Sequence, residues 1–215
     1  MMEDHIASRA TPPPTRMQRL LASDFLFDFR RAPLAMLAAS VVGFLFLVAI
    51  LGPLVAPTNP FDPASLNLMN GFTPPMTANM FTGESFVMGT DDQGRDLLSA
   101  IIYGLRVSLF VGVMSVLLAM GIGVSLGLLA GYVGGWIDNL IMRIADIQLT
   151  FPSILIAMLI FGVLRGIIPP DLRDEMAIFV LIAAIGLSEW VPFARTVRAT
   201  TLVEKEKEYV QAARL

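Results

Sequence analysis

Glu189 is the residue whose placement most suggests chemistry, a carboxylate inside an apolar run that extends from Met176 to about Arg195. An ionisable group within a membrane span is a functional candidate by default, and a proton-coupled carrier would use it as a relay. It lies toward one end of its run, with Arg195 and Arg198 on the following turns, so pairing or snorkelling is the competing expectation. A second concentration of charge is Gly89-Thr90-Asp91-Asp92-Gln93-Gly94-Arg95-Asp96. It lacks the D-x-[DN]-x-[DN]-G spacing and terminal Glu of a calcium loop, so no metal site is expected. Thr90 and Gln93 have capping-box spacing, and Asp92 or Asp96 can cap a helix running on through Leu97 and Leu98. Docking of a partner is the second expectation for this motif.

Other chemistries are closed. The chain has no cysteine, and its single histidine, His5, sits in a polar tail. Thiol nucleophiles, thiolate or multi-His metal sites and a Ser-His-Asp triad are therefore excluded. There is no phosphate-binding G-x-x-x-x-G-K-[ST] loop. If ATP is used, another subunit must bind it.

The 215 residues are 55% hydrophobic and only 15% charged, against about 25% charged in a soluble domain. The mean hydropathy is +0.71. With a net charge of −3 there is no basic field to attract nucleic acid. Apolar runs at Leu34 to Val55, Val107 to Gly131, Ile147 to Leu164 and Met176 to about Arg195 predict four spans of an all-α integral membrane protein. A cleaved secretory signal is the rival for the first run, but a signal core is only about 7–15 residues. Unpaired backbone groups are not tolerated in lipid, so neighbours or side chains must satisfy whatever Pro152 and Pro192 leave open.

Orientation follows from Lys and Arg near the span ends. Arg9, Arg16, Arg19, Arg30, Arg31, Arg143, Arg195, Arg198, Lys205, Lys207 and Arg214 fall on one side of a four-span chain, and Arg95, Arg106, Arg165 and Arg173 on the other. By the positive-inside rule both chain ends are cytoplasmic. The expected organisation is a cytoplasmic tail over 1–33, a first span over 34–56, an extracytoplasmic segment over 57–103, a three-span core over 104–197 and a cytoplasmic helix over 198–215.

Ser115, Ala119, Gly123, Gly127 and Gly131 recur every four residues along the second span, a stripe that predicts close helix packing. Gly131 to Asp138 reads as a membrane-surface turn with Trp136 as an interfacial anchor, and Arg143 and Asp146 have the spacing to pair. Glu204 with Lys207, and Lys205 with Glu208, support a surface helix at the end of the chain. Tyr209, Ala212 and Ala213 give it a face that could seat in a groove on another protein.

These residues resemble a known family, the inner-membrane permeases of ABC importers, and within it the C-type permease of dipeptide and oligopeptide systems. Gly89-Thr90-Asp91-Asp92-Gln93-Gly94-Arg95-Asp96, with Ile102-Tyr103-Gly104 and Arg106 beyond, is similar to the signature before that family's second span. Gly134-Gly135-Trp136-Ile137-Asp138, Met142-Arg143, Asp146 and Phe151-Pro152 resemble the next. Trp190, Ala194-Arg195, Val197-Arg198 and Glu208-Tyr209-Val210-Gln211-Ala212-Ala213-Arg214 resemble the cytoplasmic E-A-A region.

The resemblance implies that Glu208, Tyr209, Gln211, Ala212, Ala213 and Arg214 open the coupling helix that sits in a cleft of the ATPase. Gln211 stands where the motif usually has Glu. The family has six spans, so two more are expected beyond this helix and the chain reads as C-terminally truncated. It further implies a bacterial inner-membrane subunit that is not itself an enzyme and binds no cofactor, ATP and Mg being held by partners. Those partners are a second permease, two ABC ATPases and an extracytoplasmic solute-binding protein, with lipid around the spans and no nucleic acid. Di- or oligopeptide import by alternating access is the implied function, with nickel or glutathione as alternatives inside the family. A proton-coupled carrier using Glu189 and a non-transporting scaffold are the alternatives outside it.

Overall fold

The computed structural model describes residues 29–63 and 66–212. The tail over 1–28, with His5, Arg9, Arg16 and Arg19, lies outside the described residues, as do Ala213, Arg214 and Leu215. The described chain is all-α, with two isolated antiparallel bridges, Ala78 with Ser85 and Thr90 with Asp96, and no strand. Its main helices are α1 (Pro33–Val55), α2 (Leu97–Val133), α3 (Gly135–Leu149), α4 (Ser153–Ile167), α5 (Arg173–Ser188), α6 (Trp190–Lys205) and the short α7 (Glu208–Ala212).

Two of these, α1 and α2, are each long and apolar enough to cross a membrane. The pair α3 and α4 is bent by 99°, and α6 is bent by 42° from the segment Pro170–Ser188. Counting each bent pair as one broken span gives up to four. Helix α2 begins at Leu97, inside the segment 57–103 expected to lie outside the membrane. Its 37 residues make it about 55 Å long at 1.5 Å per residue, well beyond the ~30 Å hydrocarbon core. Asp96 starts it, accepting a hydrogen bond from the backbone N–H of Ser99 at 3.0 Å. Gly134, with φ +70°, stops it.

The third apolar run is not one straight helix. Pro152 has no N–H to offer and its ring crowds the preceding turn, so the chain turns by 99° and only α4 continues the expected span. Ahead of that break, the expected surface turn is helical on both sides of Gly134, closing α2 and opening α3, which buries Ile141 and Ala145 and leaves Trp136 exposed.

The packing centre is the contact of α2 with α6. A Cβ added at Gly123 would stand 2.6 Å from the Trp190 carbonyl oxygen, one at Gly127 2.5 Å from that of Ala194, and one at Gly131 3.0 Å from that of Arg198. Backbones this close leave room only for hydrogen on the α2 side. Further up the stripe, Ala119 is buried and the Ser115 hydroxyl donates to the Ile182 carbonyl of α5 at 3.4 Å. Positions advance together, Ser115 with Ile182 and Gly131 with Thr201, so α2 runs parallel to α5 and α6. Ala130, Ile141, Ala145, Trp190, Val191 and Ala194 form the buried cluster where α2, α3 and α6 meet.

Gly127→Leu forces α2 from α6 against backbone that cannot yield, an overpacking cost of about 1–3 kcal/mol. Gly121, with nothing within 4 Å of its added Cβ, is the control on the same helix. Thermal unfolding in detergent should show a lowered midpoint for Gly127→Leu and no lowering for Gly121→Leu.

Candidate functional site

Two clusters of functional side chains occupy opposite ends of α2. At its start, residues 57–63 and 66–96 fold into a cap with a polar interior. Asn70, Thr73, Thr90, Asp96 and Ser99 are buried. Thr90 Oγ1 accepts from the Thr73 N–H at 2.8 Å and donates to the Asn70 carbonyl. The Asn70 amide donates to Glu84 at 2.6 Å and accepts from Thr82. Thr90 is therefore part of this interior rather than of a capping box with Gln93, and the cap of α2 is Asp96 alone. Ser99 donates its hydroxyl to Asp96 and accepts from the Thr58 N–H at 3.2 Å, joining the exit of α1 to the entry of α2.

Gly89 and Gly94 both adopt positive φ, +78° and +79°. A Cβ at Gly89 would lie 2.5 Å from the Thr73 carbonyl oxygen, and one at Gly94 2.1 Å from that of Asn67, so side chains are barred at both. Between them Asp91 accepts from the N–H groups of Gln93 and Arg95, each at 2.9 Å, and pairs with the Arg95 guanidinium at 2.7 Å. Partial burial raises the Asp91 carboxyl, but the hydrogen bonds from Arg95 and Gln93 and the Arg95 charge outweigh it and hold the group below its ordinary value. Asp92 is exposed.

At the other end of α2, three long-range links tie α6 to α2 and α3. Arg198 makes a two-pronged pair with Asp138, its NH2 to Oδ2 distance being 2.6 Å. Arg195 pairs with Asp146. Lys205 Nζ donates to the Gly131 carbonyl at 3.0 Å. Asp146 thus pairs across the fold, not with Arg143 on its own helix, because α3 lies against α6. For the same reason Glu189 finds neither arginine: both are committed to α3, and among the described residues no hydrogen-bond or ion-pair partner meets its side chain. Glu189 sits, half-buried, in the bend between α5 and α6.

Beyond Lys205 the helix expected over 198–215 breaks at Glu206 and Lys207 and restarts as α7. Lys207 pairs with Glu204 at 2.6 Å, whereas Lys205 turns to Gly131 rather than to Glu208. Tyr209 donates to Glu204 at 3.0 Å and keeps its ring exposed, as are Glu208 and Ala212.

Gln148 escaped the reading from sequence. It bonds to the α5–α6 bend through Leu187, Ser188 and Trp190. The available signal was a lone amide four residues before Pro152 in an otherwise apolar run.

Two protein-family models match this chain. Residues 123–215 match that of the binding-protein-dependent transport system inner membrane component, and residues 21–75 that of the N-terminal TM domain of oligopeptide transport permease C. The chain is 34% identical over 194 residues to the dipeptide transport system permease protein DppC of Haemophilus influenzae, covering 89% of this chain and 60% of that one. It is 35% identical to the protein of the same name from Alkalihalophilus pseudofirmus, over 100% of this chain and 66% of that one. Against the glutathione transport system permease protein GsiD of Escherichia coli it is 39% identical, over 89% and 57%. The chain spans about 60% of the length of the curated relatives it matches.

Because the folded-state pKa of Asp91 is depressed, the stabilisation it gives the cap is complete above the unfolded value of about 4 and is lost as pH falls through the folded value. Hydrogen exchange at the Gln93 and Arg95 amides should therefore show protection factors that are constant above that value and decline below it. An identical decline in Asp91→Asn would refute the assignment.

Proposed function

The chain belongs to the family of inner membrane components of binding-protein-dependent transport systems, and from that membership we propose that it is a permease subunit of an ATP-driven importer. As a multi-pass inner-membrane protein with no nucleotide loop of its own, it supplies path and gate while partner subunits supply the hydrolysis. Two cytoplasmic ATPases hold ATP and Mg, a second permease completes the pathway, and a solute-binding protein delivers the cargo from outside. Di- and oligopeptides are the cargo class, supported by relatives named as dipeptide and oligopeptide permeases. Glutathione, itself a small peptide, is the second reading, supported by 39% identity to a glutathione permease.

The observation that carries the mechanism is the bracing of α6. It is packed backbone to backbone on α2, paired twice with α3, and ends in α7 with the Tyr209 ring exposed. A force on α7 therefore enters a braced unit. Motion at the ATPase dimer is carried to the spans, and alternating access follows from re-aiming α5 and α4 about their bends. In this reading Glu208, Tyr209, Gln211 and Ala212 begin the coupling helix, with Ala213 and Arg214 continuing it.

The lysine and arginine partition supports a cytoplasmic N-terminus, since Arg143, Arg195, Arg198 and Lys205 gather at the α7 end of α2 while Arg95 and Arg106 lie toward the other. That orientation puts the polar-cored cap, with Gly89, Thr90, Asp91, Asp92, Gly94, Arg95 and Asp96, on the outer face where the binding protein arrives.

The native absence of cysteine makes the test direct. Tyr209→Cys or Ala212→Cys in the assembled importer should form a disulfide with a cysteine placed in the ATPase cleft, in a yield that changes when ATP binds. Tyr209→Ala should weaken ATPase association by roughly 10–30-fold, the loss expected for an aromatic anchor. Absence of any cross-link from both positions would sink the coupling assignment.

A further inference from the structure

Proline in a helix withholds an N–H from the carbonyl four residues earlier. Pro192 withholds one from the Ser188 carbonyl, and Pro152 one from the Gln148 carbonyl. The two carbonyls are satisfied by different donors, one local and one from across the fold. The backbone carbonyl of Gln148 takes the N–H of Phe151 at 3.2 Å. The side-chain amide of the same residue donates to the Ser188 carbonyl at 2.7 Å and to the Leu187 carbonyl at 3.3 Å. Its oxygen accepts from the Trp190 indole N–H at 2.9 Å. Gln148 is thus bonded on both sides of the α5–α6 bend while sitting at the α3–α4 break.

Local hydroxyls do not substitute for it. Ser188 gives its own hydroxyl to the Ile185 carbonyl at 2.8 Å, and Thr196 gives its hydroxyl to the Pro192 carbonyl at 2.9 Å. Ser188 is buried, and an unpaired carbonyl away from water costs more than one in it, so the bend is held by the group that supplies the missing donor. Trp190 is buried and hydrogen-bonded by its indole, which fixes the ring side of the clamp.

We infer that Gln148 is a positioning residue that sets the α5–α6 bend and locks it to the α3–α4 break, so that the two broken spans re-aim together. The ion pairs Arg195 with Asp146 and Arg198 with Asp138 keep α3 and α6 as one body. Flexing is then confined to Thr150–Pro152 and Ser188–Glu189, and one amide bridges the two places. Changing the bend must therefore break the bonds from Gln148 to Leu187 and Ser188. The part this plays in transport rests on the coupling reading above, but the geometric claim is independent of it.

The test uses spin-label pairs in the cysteine-free chain in lipid nanodiscs. Labels at exposed Phe179 and Thr200 report the α5–α6 bend, and labels at exposed Asn139 and Leu159 report the α3–α4 break. Labels at Leu128 and Thr200 report the α2–α6 contact as the control for folding. Gln148→Met keeps length and bulk but can neither donate nor accept in this clamp. It should widen both bend distributions roughly twofold, as for a hinge that has lost its clamp, and leave the control distance in place. Trp190→Phe added to Gln148→Met should widen them no further, since the two act through one bond.

Unchanged bend distances in Gln148→Met would overturn the inference, and so would widening of α5–α6 alone, which would make Gln148 a local cap. Should Gln148→Met lose the control distance, Gln148→Glu keeps the acceptor for Trp190 without the donor and must widen the α5–α6 distribution. Loss of the control distance in both variants would also overturn it, because the residue would then serve the fold at large. None of these readouts needs ATP or a partner, so a missing Tyr209 cross-link removes the transport reading while leaving this one standing.

Discussion

The approach of α2 to α6 at the distance of bare backbone is the contact on which the rest of the structure depends. Between helices in lipid there is no hydrophobic drive, because lipid tails are as apolar as leucine, so association rests on close packing and on hydrogen bonds. Gly123, Gly127 and Gly131 let α6 settle directly onto α2. Only at that depth does Lys205 reach the Gly131 carbonyl, and α3, packed beside both, bring Asp138 and Asp146 to the arginines of α6. The stripe sets the geometry and the charges then register it.

Hydrogen-bond accounting governs the remainder. Among the described residues, every buried side-chain nitrogen and oxygen has a partner. The two bent spans are each met with a specific donor, a backbone N–H at Pro152 and a side-chain amide at Pro192. Glu189 stands out against this pattern. It is half-buried, in a bend, and its neighbours Arg195 and Arg198 are spent elsewhere.

How much of this was legible in the sequence depended on the range of the interactions. Apolar runs and the stripe with period four are local and could be read directly, as could the Asp96 cap and the pairing of Glu204 with Lys207. The choice of Asp146 by Arg195 and of Asp138 by Arg198 spans 49 and 60 residues. No helical spacing encodes it, and the local alternative of Arg143 with Asp146 was equally good on paper. The right-angle break at Pro152 was half visible: proline marks a weak point, but the angle is decided by where α3 finds its partners. The inward role of Thr90 was hidden because its partners Asn70 and Thr73 lie 20 and 17 residues away on irregular chain.

The cap over residues 57–63 and 66–96 reverses the usual relation of inside to outside. Amides, hydroxyls and a carboxylate fill its interior, while Phe72, Met76 and Met80 are on its surface, at 77%, 81% and 97% exposure. Opening it would hydrate polar groups, which lowers heat capacity by about 0.26 cal/K/mol per Å² where apolar exposure raises it by about 0.45. The free energy holding the cap closed therefore lacks the fall on cooling that hydrophobic burial brings. Cooling weakens structures built on hydrophobic burial, whereas the anchoring of the Leu97 end of α2 by this cap does not depend on that drive.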